Sequence, residues 1–285
     1  MSSYLMSKQI CLITGATDGV GRETASELAG KGFTVVLVAR NAAKAERVAR
    51  EIAQSTGSAD VDYILCDLGS LTQVRQLAET FSRKYPRLDV LINNAGIFAP
   101  QRMLTEDGFE KTYQVNYLSH FLLTHLLLED LKRSEQGRII NLSSSVYNIG
   151  KFDPGNLQSE RSFSLIGAYA ASKLLVLMFT LELAERLRGA RIVANAVHPG
   201  VVRTQMLANA TGVFKIISYF ATPFAVSPQQ GASTSVYLAS SPEADGVSGH
   251  YFVKSRAAKV KSRFNTAENR KLLWDLSVKH LQQGG

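Results

Sequence analysis

The chain has 285 residues with a formal net charge of +8, and 45% of its residues are hydrophobic. This length and composition suit one large α/β domain with a real core. No stretch reaches ~18 uncharged apolar residues, so we expect no transmembrane segment. The first strand begins too early to leave room for a signal peptide, so we expect none. Cys11 and Cys66 fall on or beside predicted strands without metal-ligand spacing. They predict a cytoplasmic protein with reduced thiols and no bound metal.

The positive charge has more than one interpretation. Basic residues gather toward the C-terminus, at Lys254, Arg256, Lys259, Lys261 and Arg263. They would suit a nucleic-acid surface or an anionic membrane surface. No zinc-finger, RRM or helix-turn-helix pattern accompanies them. We therefore favour general solubility and attraction of an anionic cofactor, and we expect no nucleic-acid partner.

The N-terminal stretch has the order strand, glycine-rich turn, helix. An apolar strand over residues 9–13 leads into Thr14-Gly15-Ala16-Thr17-Asp18-Gly19-Val20-Gly21, and a helical pattern covers residues 22–31. In this arrangement glycines let the backbone approach a pyrophosphate, whose charge meets the helix N-terminus. The spacing Gly-x-x-x-Gly-x-Gly differs from the commoner Gly-x-Gly-x-x-Gly, and a tight turn without a ligand would also explain it. The position directly after the first strand favours dinucleotide binding.

The second predicted strand, residues 34–39, ends on Arg40 and Asn41. In dinucleotide folds an acidic residue here binds the ribose 2′-hydroxyl of NAD, whereas an arginine accommodates the 2′-phosphate of NADP. Because the chain offers Arg40 and no carboxylate, it predicts NADP(H) as the preferred cofactor and NAD(H) as the alternative. Arg22 would add a second positive charge. A solvated cation at a strand end is the other interpretation of Arg40.

The rest of the chain goes on alternating strands with helices. Helical patterns cover residues 42–55, 71–84 and much of 113–131, and strand patterns cover residues 61–65, 88–92, 138–142 and 191–197. Residues 146–164 read as an irregular insertion. The alternation predicts a single Rossmann domain over residues 1–285, with a doubly wound parallel sheet of about seven strands, order 3-2-1-4-5-6-7, and helices on both faces.

Polar and small residues follow several of these strands. They are Asp67 and Leu68, Asn93-Asn94-Ala95-Gly96, Ser143-Ser144-Ser145 and His198-Pro199-Gly200. The carboxyl ends of parallel strands line the ligand crevice in this fold class. Asn116 stands in an apolar helical stretch, where a buried amide must be hydrogen-bonded or functional. The serines would also suit a polar loop, and we interpret His198 as structural.

Tyr169 and Lys173 are spaced to share one face of a helix. The apolar run over residues 174–183 predicts that this helix packs into the core. A nearby cation favours a phenolate, so we expect the pKa of Tyr169 to fall below ~10 and the pair to exchange a proton near neutral pH. Because this spacing also arises by chance, its meaning depends on the other motifs.

Taken in order, these motifs resemble the short-chain dehydrogenase/reductase family. The matching elements are Thr14-Gly15-x-x-x-Gly19-x-Gly21, Asp67, Asn93-Asn94-Ala95-Gly96, Asn116, Ser144, Tyr169-x-x-x-Lys173 and Pro199-Gly200. Within the family the chain is most similar to the retinol dehydrogenase-like branch, which also resembles WW-domain oxidoreductase and light-dependent protochlorophyllide reductase. Residues 116–124, 248–252 and 273–274 carry that similarity. Asp18 stands where some NADP-preferring relatives have a basic residue, so the NADP preference depends mainly on Arg40.

The resemblance implies roles for the site residues. Tyr169 would be the general acid in carbonyl reduction and the base in alcohol oxidation, and Lys173 would lower its pKa and hold the nicotinamide ribose. Ser144, chosen over Ser143 by its family position, would bind the substrate oxygen, and Asn116 would position a water. The cofactor would contact Gly15, Thr17, Asp18, Gly19, Val20, Gly21, Arg40, Asn41, Asp67, Leu68, Asn94, Ala95, Gly96, Tyr169, Lys173, Pro199, Gly200, Val202 and Thr204.

Residues 205–227 would form the substrate-binding lid. Their phenylalanines, tyrosine and aliphatic residues predict a small apolar carbonyl or alcohol substrate, such as a retinoid, steroid, long-chain or aromatic compound. Core contacts, subunit contacts or a peripheral membrane patch would also explain them. In relatives, the helices equivalent to the Tyr169 helix pair across a dimer, so we expect a homodimer or homotetramer.

The leading hypothesis is an NADP(H)-dependent oxidoreductase with a tyrosine acid and base. A regulatory or scaffold protein that binds NADP(H) on the same fold is the alternative, because fold does not determine function. The presence of all four candidate catalytic residues, Asn116, Ser144, Tyr169 and Lys173, favours the enzyme.

Overall fold

The computed structural model describes residues 8–200 and 226–283. Eight strands form one sheet in the order β3-β2-β1-β4-β5-β6-β7-β8. They are β1 (Ile10–Thr14), β2 (Thr34–Ala39), β3 (Val61–Leu65), β4 (Val90–Asn93), β5 (Gly137–Leu142), β6 (Ile192–His198), β7 (Tyr251–Val253) and β8 (Arg256–Ala258). Every pairing from β3 to β7 is parallel, which confirms the predicted doubly wound sheet.

The edge strand β8 is an addition to the seven strands that we predicted. It pairs antiparallel with β7. The two strands are joined by Lys254 and Ser255, which both have positive φ angles, 50° and 57°. Two left-handed residues in succession form the tight turn whose twist suits a hairpin. Because glycine or asparagine usually marks such a turn, the sequence Lys-Ser gave no signal for it.

The helices lie on both faces of the sheet. They are α1 (Gly19–Gly30), α2 (Ala42–Thr56), α3 (Leu71–Lys84), α4 (Lys111–Tyr113), α5 (Ser119–Leu126), α6 (Leu128–Lys132), α7 (Leu165–Arg186), α8 (Pro228–Ser240) and α9 (Ala267–Gln283). A π-helical turn, Gln114–Leu118, separates α4 from α5, and a 3-10 turn, Ser145–Ile149, follows β5.

Polar caps determine where the helices begin. The side chain of Asp18 accepts a hydrogen bond from Gly19 N, so α1 begins inside the glycine turn, three residues before the start that we predicted. Asn41 caps α2 and Ser70 caps α3 in the same way. Each cap accepts from a backbone N–H that has no partner within its helix.

Two apolar layers bury the sheet. Ile10 and Leu12 of β1 face a layer built by α3, α5 and α7, whereas Cys11 and Ile13 face a layer built by α1, α2 and α8. This alternation follows from the two-residue period of a strand. A strand buried on both faces explains the unbroken apolar run at its start.

The helix α7 is long and apolar. By length and composition alone, it is the one described helix that could cross a membrane, but 67% of its apolar window is buried inside the protein. The C-terminal helix α9 packs on it: the Trp274 ring lies beside Phe179, with the two planes inclined by 37°, and against the guanidinium of Arg186. The apolar character of α7 therefore matches a core helix, and α9 covers part of the surface through which we expected two chains to pair.

Candidate active site

The candidate residues come together at the carboxyl edge of the sheet. Asn94 follows β4, Ser144 follows β5 and Pro199 follows β6, and these three strands are neighbours or next neighbours in one parallel order. Tyr169 enters the same region from the second turn of α7. The sheet topology thus brings residues from distant parts of the chain to one crevice.

The first half of the site, which we call the cofactor corner, consists of residues 14–21 and 94–96. Thr14 Oγ1 accepts hydrogen bonds from the backbone N–H groups of Asn94 (2.9 Å) and Ala95 (3.0 Å). Asn94 Nδ2 donates in return to the carbonyl oxygens of Thr14 (2.7 Å) and Gly15 (3.2 Å). These bonds fasten the glycine turn to the end of β4.

Two glycines make this contact sterically feasible. Gly15 has a φ of +64°, which side chains rarely tolerate, and a Cβ atom there would lie 3.0 Å from Ala95. A Cβ on Gly21 would lie 2.4 Å from both Asn94 Nδ2 and Gly15 O. The turn thus presents backbone to the crevice beside the N-terminus of α1, and this arrangement fits a pyrophosphate.

Cationic side chains lie near the glycine turn, at the end of β2 and the start of α2. Arg40 is exposed at the end of β2, whereas Arg22 forms an ion pair with Glu51 (2.9 Å) and is therefore engaged elsewhere. Lys44 Nζ lies 3.1 Å from Asp18 Oδ2 of the turn. Our sequence reasoning missed Lys44, because only the folded α2 brings this residue against the glycine turn.

Asp67 and Leu68 follow β3 at the same edge of the sheet. Asp67 Oδ1 accepts from the backbone N–H of Gly69 (2.8 Å), and its own N–H donates to Gln73 Oε1 (2.9 Å). Leu68 is buried and its carbonyl oxygen accepts from Ser119 Oγ (2.6 Å). The loop after β3 is thus tied both to α3 and to α5.

The second half of the site, the catalytic cluster, consists of Asn116, Ser144, Tyr169 and Lys173. Lys173 is buried, and its Nζ lies 5.6 Å from the centre of the Tyr169 ring. The ammonium group donates to the carbonyl oxygen of Leu142 (2.8 Å). A Cβ on Gly96 would lie 3.4 Å from Lys173 Nζ and 3.6 Å from Asn116 Oδ1, so the cofactor corner adjoins the cluster.

Burial changes the proton affinity of both members of the pair. It lowers the pKa of Lys173 to about 8, because removal from water disfavours the charged ammonium. It raises the pKa of Tyr169 above its ordinary value for the same reason. Our prediction of a lowered tyrosine pKa was wrong for the free protein, since Lys173 bonds to Leu142 and burial outweighs its charge.

Asn116 lies in the π-helical turn and is buried. Its Oδ1 accepts from Ile97 N (2.7 Å), and its Nδ2 donates to Ile97 O (3.1 Å) and to Ser172 Oγ (3.0 Å). Ser172 Oγ in turn donates to Tyr169 O (2.7 Å). The amide therefore connects the loop after β4 with the helix that carries Tyr169, and Ser172 is a link that spacing alone did not reveal.

The serines after β5 have different roles. Ser143 is buried and its hydroxyl donates to the carbonyl oxygen of Lys173 (2.8 Å). Ser144 is half-buried and its hydroxyl caps the following turn at Val146 N (3.4 Å). His198 Nδ1 accepts from Ser145 N (3.3 Å) and so ties the serine run to β6. Ser144 keeps the hydroxyl that is more available to a ligand.

Phe98 is a neighbour of Tyr169 that the sequence did not single out. The two rings are stacked, with centroids 3.6 Å apart and planes inclined by 22°. Phe98 comes from the loop after β4, and no local pattern distinguishes it from other apolar loop residues. Its position makes one wall of the crevice aromatic.

Part of the predicted site falls outside the described residues. Val202, Thr204 and the lid up to residue 225 lie in the stretch that the structure does not describe. Pro199 and Gly200 are described and half-buried at the end of β6. Ser227, the last predicted lid residue, caps α8 by accepting from Gln230 N (3.2 Å).

Comparison with known proteins gives a consistent result. The family model for short chain dehydrogenase matches residues 9–212. The chain is 41% identical to human retinol dehydrogenase 14, covering 96% of this chain and 86% of that protein. It is 37% identical to human polyprenol dehydrogenase, with 97% and 85% covered.

A similar fold is also found among solved structures. A short chain dehydrogenase from Escherichia coli CFT073, complexed with NADPH, has 29% identity and a TM-score of 0.66, with 87% of this chain and 97% of that chain covered. The sheet order, the site geometry and the similarity in sequence point the same way. The chain belongs to the short chain dehydrogenase family.

Proposed function

We propose that this protein is an NADP(H)-dependent oxidoreductase that interconverts a carbonyl and an alcohol on an apolar substrate. The observation that carries the proposal is the convergence of Tyr169, Lys173 and Asn116 beside the cofactor corner. When bound, NADP(H) would supply the hydride for reduction or accept it in oxidation. The protein's own residues would bind, orient and transfer a proton.

Tyr169 would give its phenolic proton to the substrate oxygen during reduction. Burial raises the pKa of Tyr169, so in the free protein the phenol carries the proton that it would donate. Lys173, whose pKa is lowered to about 8, would be largely charged at neutral pH and would stabilise the phenolate that remains. Ser144 would donate a hydrogen bond to the same substrate oxygen.

Arg40 and Lys44 support a preference for NADP(H). Arg40 is exposed at the end of β2, and Lys44 is held near the glycine turn by Asp18. Two cations near a 2′-phosphate would favour the phosphorylated cofactor. The NADPH complex of the E. coli relative is consistent with this preference.

The apolar character of the substrate is supported by two observations. Phe98 stacks on the catalytic tyrosine, so a flat or chain-like apolar group would find an aromatic wall there. The relatives named retinol dehydrogenase and polyprenol dehydrogenase bear the names of apolar alcohols. We propose a substrate of this chemical class, a long apolar chain or ring system that ends in a carbonyl or a hydroxyl.

A cofactor-binding regulatory protein without turnover is the second candidate. The stacking of Phe98 on Tyr169 favours this candidate, because the ring covers one face of the phenol in the free protein. Cytoplasmic location and homo-oligomerisation stay predictions from the sequence. The two free, buried cysteines are consistent with a reducing compartment.

The test begins with titration of the purified protein with NADPH and NADH. Turnover of a panel of apolar aldehydes and ketones is then followed at the nicotinamide absorbance band, for wild type and Tyr169→Phe. We expect NADPH-dependent turnover that falls about a thousandfold in the variant while NADPH still binds. Tyr85→Phe is the matched control, since the Tyr85 hydroxyl bonds to Asp62, away from the site.

Each outcome has a definite meaning. Turnover retained in Tyr169→Phe would contradict the mechanism. NADPH binding without turnover of any carbonyl would favour the regulatory protein. Absence of binding by either cofactor would contradict both candidates.

A further inference from the structure

His120 is a buried histidine that the proposed mechanism leaves without a role. It lies on α5, with 3% of its surface exposed. Its Nε2 lies 2.9 Å from Thr14 Oγ1, and its Nδ1 lies 3.2 Å from the carbonyl oxygen of Asn116. In the described part of the chain, no other side chain is hydrogen-bonded to both residues.

The protons can be assigned by counting donors and acceptors at Thr14. Thr14 Oγ1 accepts from two backbone N–H groups, those of Asn94 and Ala95, and a hydroxyl oxygen has two lone pairs. Its own proton is therefore left to donate. His120 Nε2 at 2.9 Å is a better acceptor than Ile92 O at 3.5 Å.

This assignment determines the form of the imidazole. If Nε2 accepts from Thr14, the ring proton of a neutral histidine must be on Nδ1, where it donates to Asn116 O. A doubly protonated ring would turn a second donor toward a hydroxyl with no free lone pair. Burial also lowers the pKa of His120 to about 4, in agreement with a neutral ring.

The hydrogen bonds from Thr14 through His120 to Asn116, which we call the bridge, join the two halves of the site. On one side, Thr14 holds the end of β4 in the cofactor corner. On the other, the side chain of Asn116 holds Ile97 and Ser172, and Ser172 bonds to the backbone of Tyr169. A displacement of the π-helical turn would therefore move the Asn116 amide relative to both the corner and α7.

We propose that His120 is a positioning residue that couples the cofactor corner to the catalytic cluster, as the neutral tautomer protonated on Nδ1. The role rests on the proposed function, because it acts through Thr14 and Asn116 and not through contact with substrate. The tautomer gives the bridge a direction: Thr14 donates to the ring, and the ring donates to Asn116.

Two substitutions separate the ends of the bridge. In His120→Gln the longer amide reaches the Nε2 position and keeps a partner for Thr14, while Asn116 O loses its donor. In His120→Asn the shorter amide occupies the Nδ1 position and keeps the donor to Asn116 O, while Thr14 loses its acceptor. The pair thus removes one hydrogen bond at a time.

We expect each substitution to change a different constant, either kcat or the NADPH dissociation constant. His120→Gln should lower kcat about tenfold and leave the NADPH dissociation constant within about twofold, because one positioning hydrogen bond is lost at the cluster. His120→Asn should weaken NADPH binding about tenfold with a smaller change in kcat. If both variants change the same constant equally, coupling through the ring is wrong.

His125 on the same helix provides the control. Its Nδ1 bonds to the carbonyl oxygen four residues earlier, that of Phe121 (2.8 Å), and its ring meets Trp274 away from the site. His125→Gln and His125→Asn should reduce thermal stability, and neither should change kcat or NADPH affinity selectively. If the His120 variants behave like these controls, His120 has only a structural role.

The ¹⁵N shifts of the His120 ring provide a readout that does not depend on activity. At neutral pH we expect a protonated Nδ1 and an unprotonated Nε2; the opposite tautomer, or a doubly protonated ring, would overturn the proposal. If wild type binds NADPH but turns over no carbonyl, the proposed function fails alone. The NADPH dissociation constants of the variants and the ¹⁵N shifts of the ring then test whether His120 couples the cofactor corner to the catalytic cluster.

Discussion

The cofactor corner and the catalytic cluster are held together by different means. In the corner, backbone approaches backbone, and a Cβ on Gly21 would lie only 2.4 Å from Gly15 O. In the cluster, buried polar side chains satisfy one another, as Asn116 does with Ser172 and Lys173 with the carbonyl of Leu142. The packing of the corner thus requires glycines, which have no Cβ atom. The cluster requires hydrogen bonds between buried polar groups, which are costly to bury without partners.

The difference predicts opposite responses to substitution. An added methyl group in the corner should disturb packing and reduce stability together with cofactor affinity. Removal of a charge from the cluster should abolish chemistry while the fold tolerates it, because the buried ammonium is itself a cost to folding. Function and stability should therefore change together in one half and separately in the other.

The largest expected effect comes from Lys173→Met. Turnover should fall about a thousandfold, because the variant has no cation beside the phenolate of Tyr169. The protein should remain folded, as measured by circular dichroism and thermal unfolding. An unfolded variant, or one with more than a tenth of wild-type turnover, would contradict the separation of chemistry from stability in the cluster.

The same variant tests the pKa of Lys173 through its pH dependence. The folded pKa, about 8, lies below the ordinary value of 10.5. Between these values the unfolded chain binds more protons than the folded one, so the stability of wild type relative to Lys173→Met should rise from pH 8 to 10.5. The measurement is denaturant unfolding at several pH values. A constant difference across this range would contradict the burial of the ammonium.

Next in size is Arg40→Ala, which tests the edge of the corner. The KM for NADPH should rise about ten- to a hundredfold, because a charge-assisted hydrogen bond to the 2′-phosphate is lost, while the KM for NADH should stay nearly constant. Lys44→Ala should act in the same direction with a smaller effect. Lys31→Ala, an exposed lysine past the end of α1, is the control. Equal changes for both cofactors would contradict the role of Arg40.

Gly21→Ala tests packing in the corner. The new Cβ would clash with Asn94 Nδ2 and Gly15 O, so we expect a loss of about 2 kcal/mol in the free energy of unfolding together with weaker NADPH binding. Gly30→Ala on the same helix is the matched control, since its Cβ would have a neighbour only at 3.8 Å, Thr56 Cγ2. Equal stability of the two variants would contradict the close approach.

The smallest effect should come from Phe98→Ala in the crevice. Loss of the aromatic wall beside Tyr169 should raise the KM for aromatic and long-chain carbonyls about three- to tenfold, with the NADPH dissociation constant unchanged. Steady-state kinetics over a substrate series of increasing size would measure it. A lower KM in the variant would mean that Phe98 hinders substrate entry and does not bind the substrate.

The features that could be predicted from the sequence are those encoded by residues close together in the chain. The glycine turn and the strand order could be predicted, because spacing and alternation are written in neighbouring residues. Lys44, Phe98 and Ser172 could not be found, because each gains its role only when α2, the loop after β4 and α7 come together.

The sign of the pKa shift on Tyr169 illustrates the same limit. The four-residue spacing correctly put a lysine on the same helix face, but spacing carries no information about burial. Only the folded environment shows that burial raises the pKa of Tyr169 and that the lysine is engaged by Leu142. A similar limit applied to β8, whose turn uses two non-glycine residues with positive φ.

The packing of α9 on α7 has a consequence for the order in which the protein matures. The helix that carries Tyr169 is covered by Leu273 and Trp274, which follow it by about one hundred residues along the chain and leave the ribosome several seconds later. While synthesis continues, the growing chain leaves exposed the apolar face of α7 that α9 later covers. The helix α7 should therefore reach its final packing only after translation has passed α9.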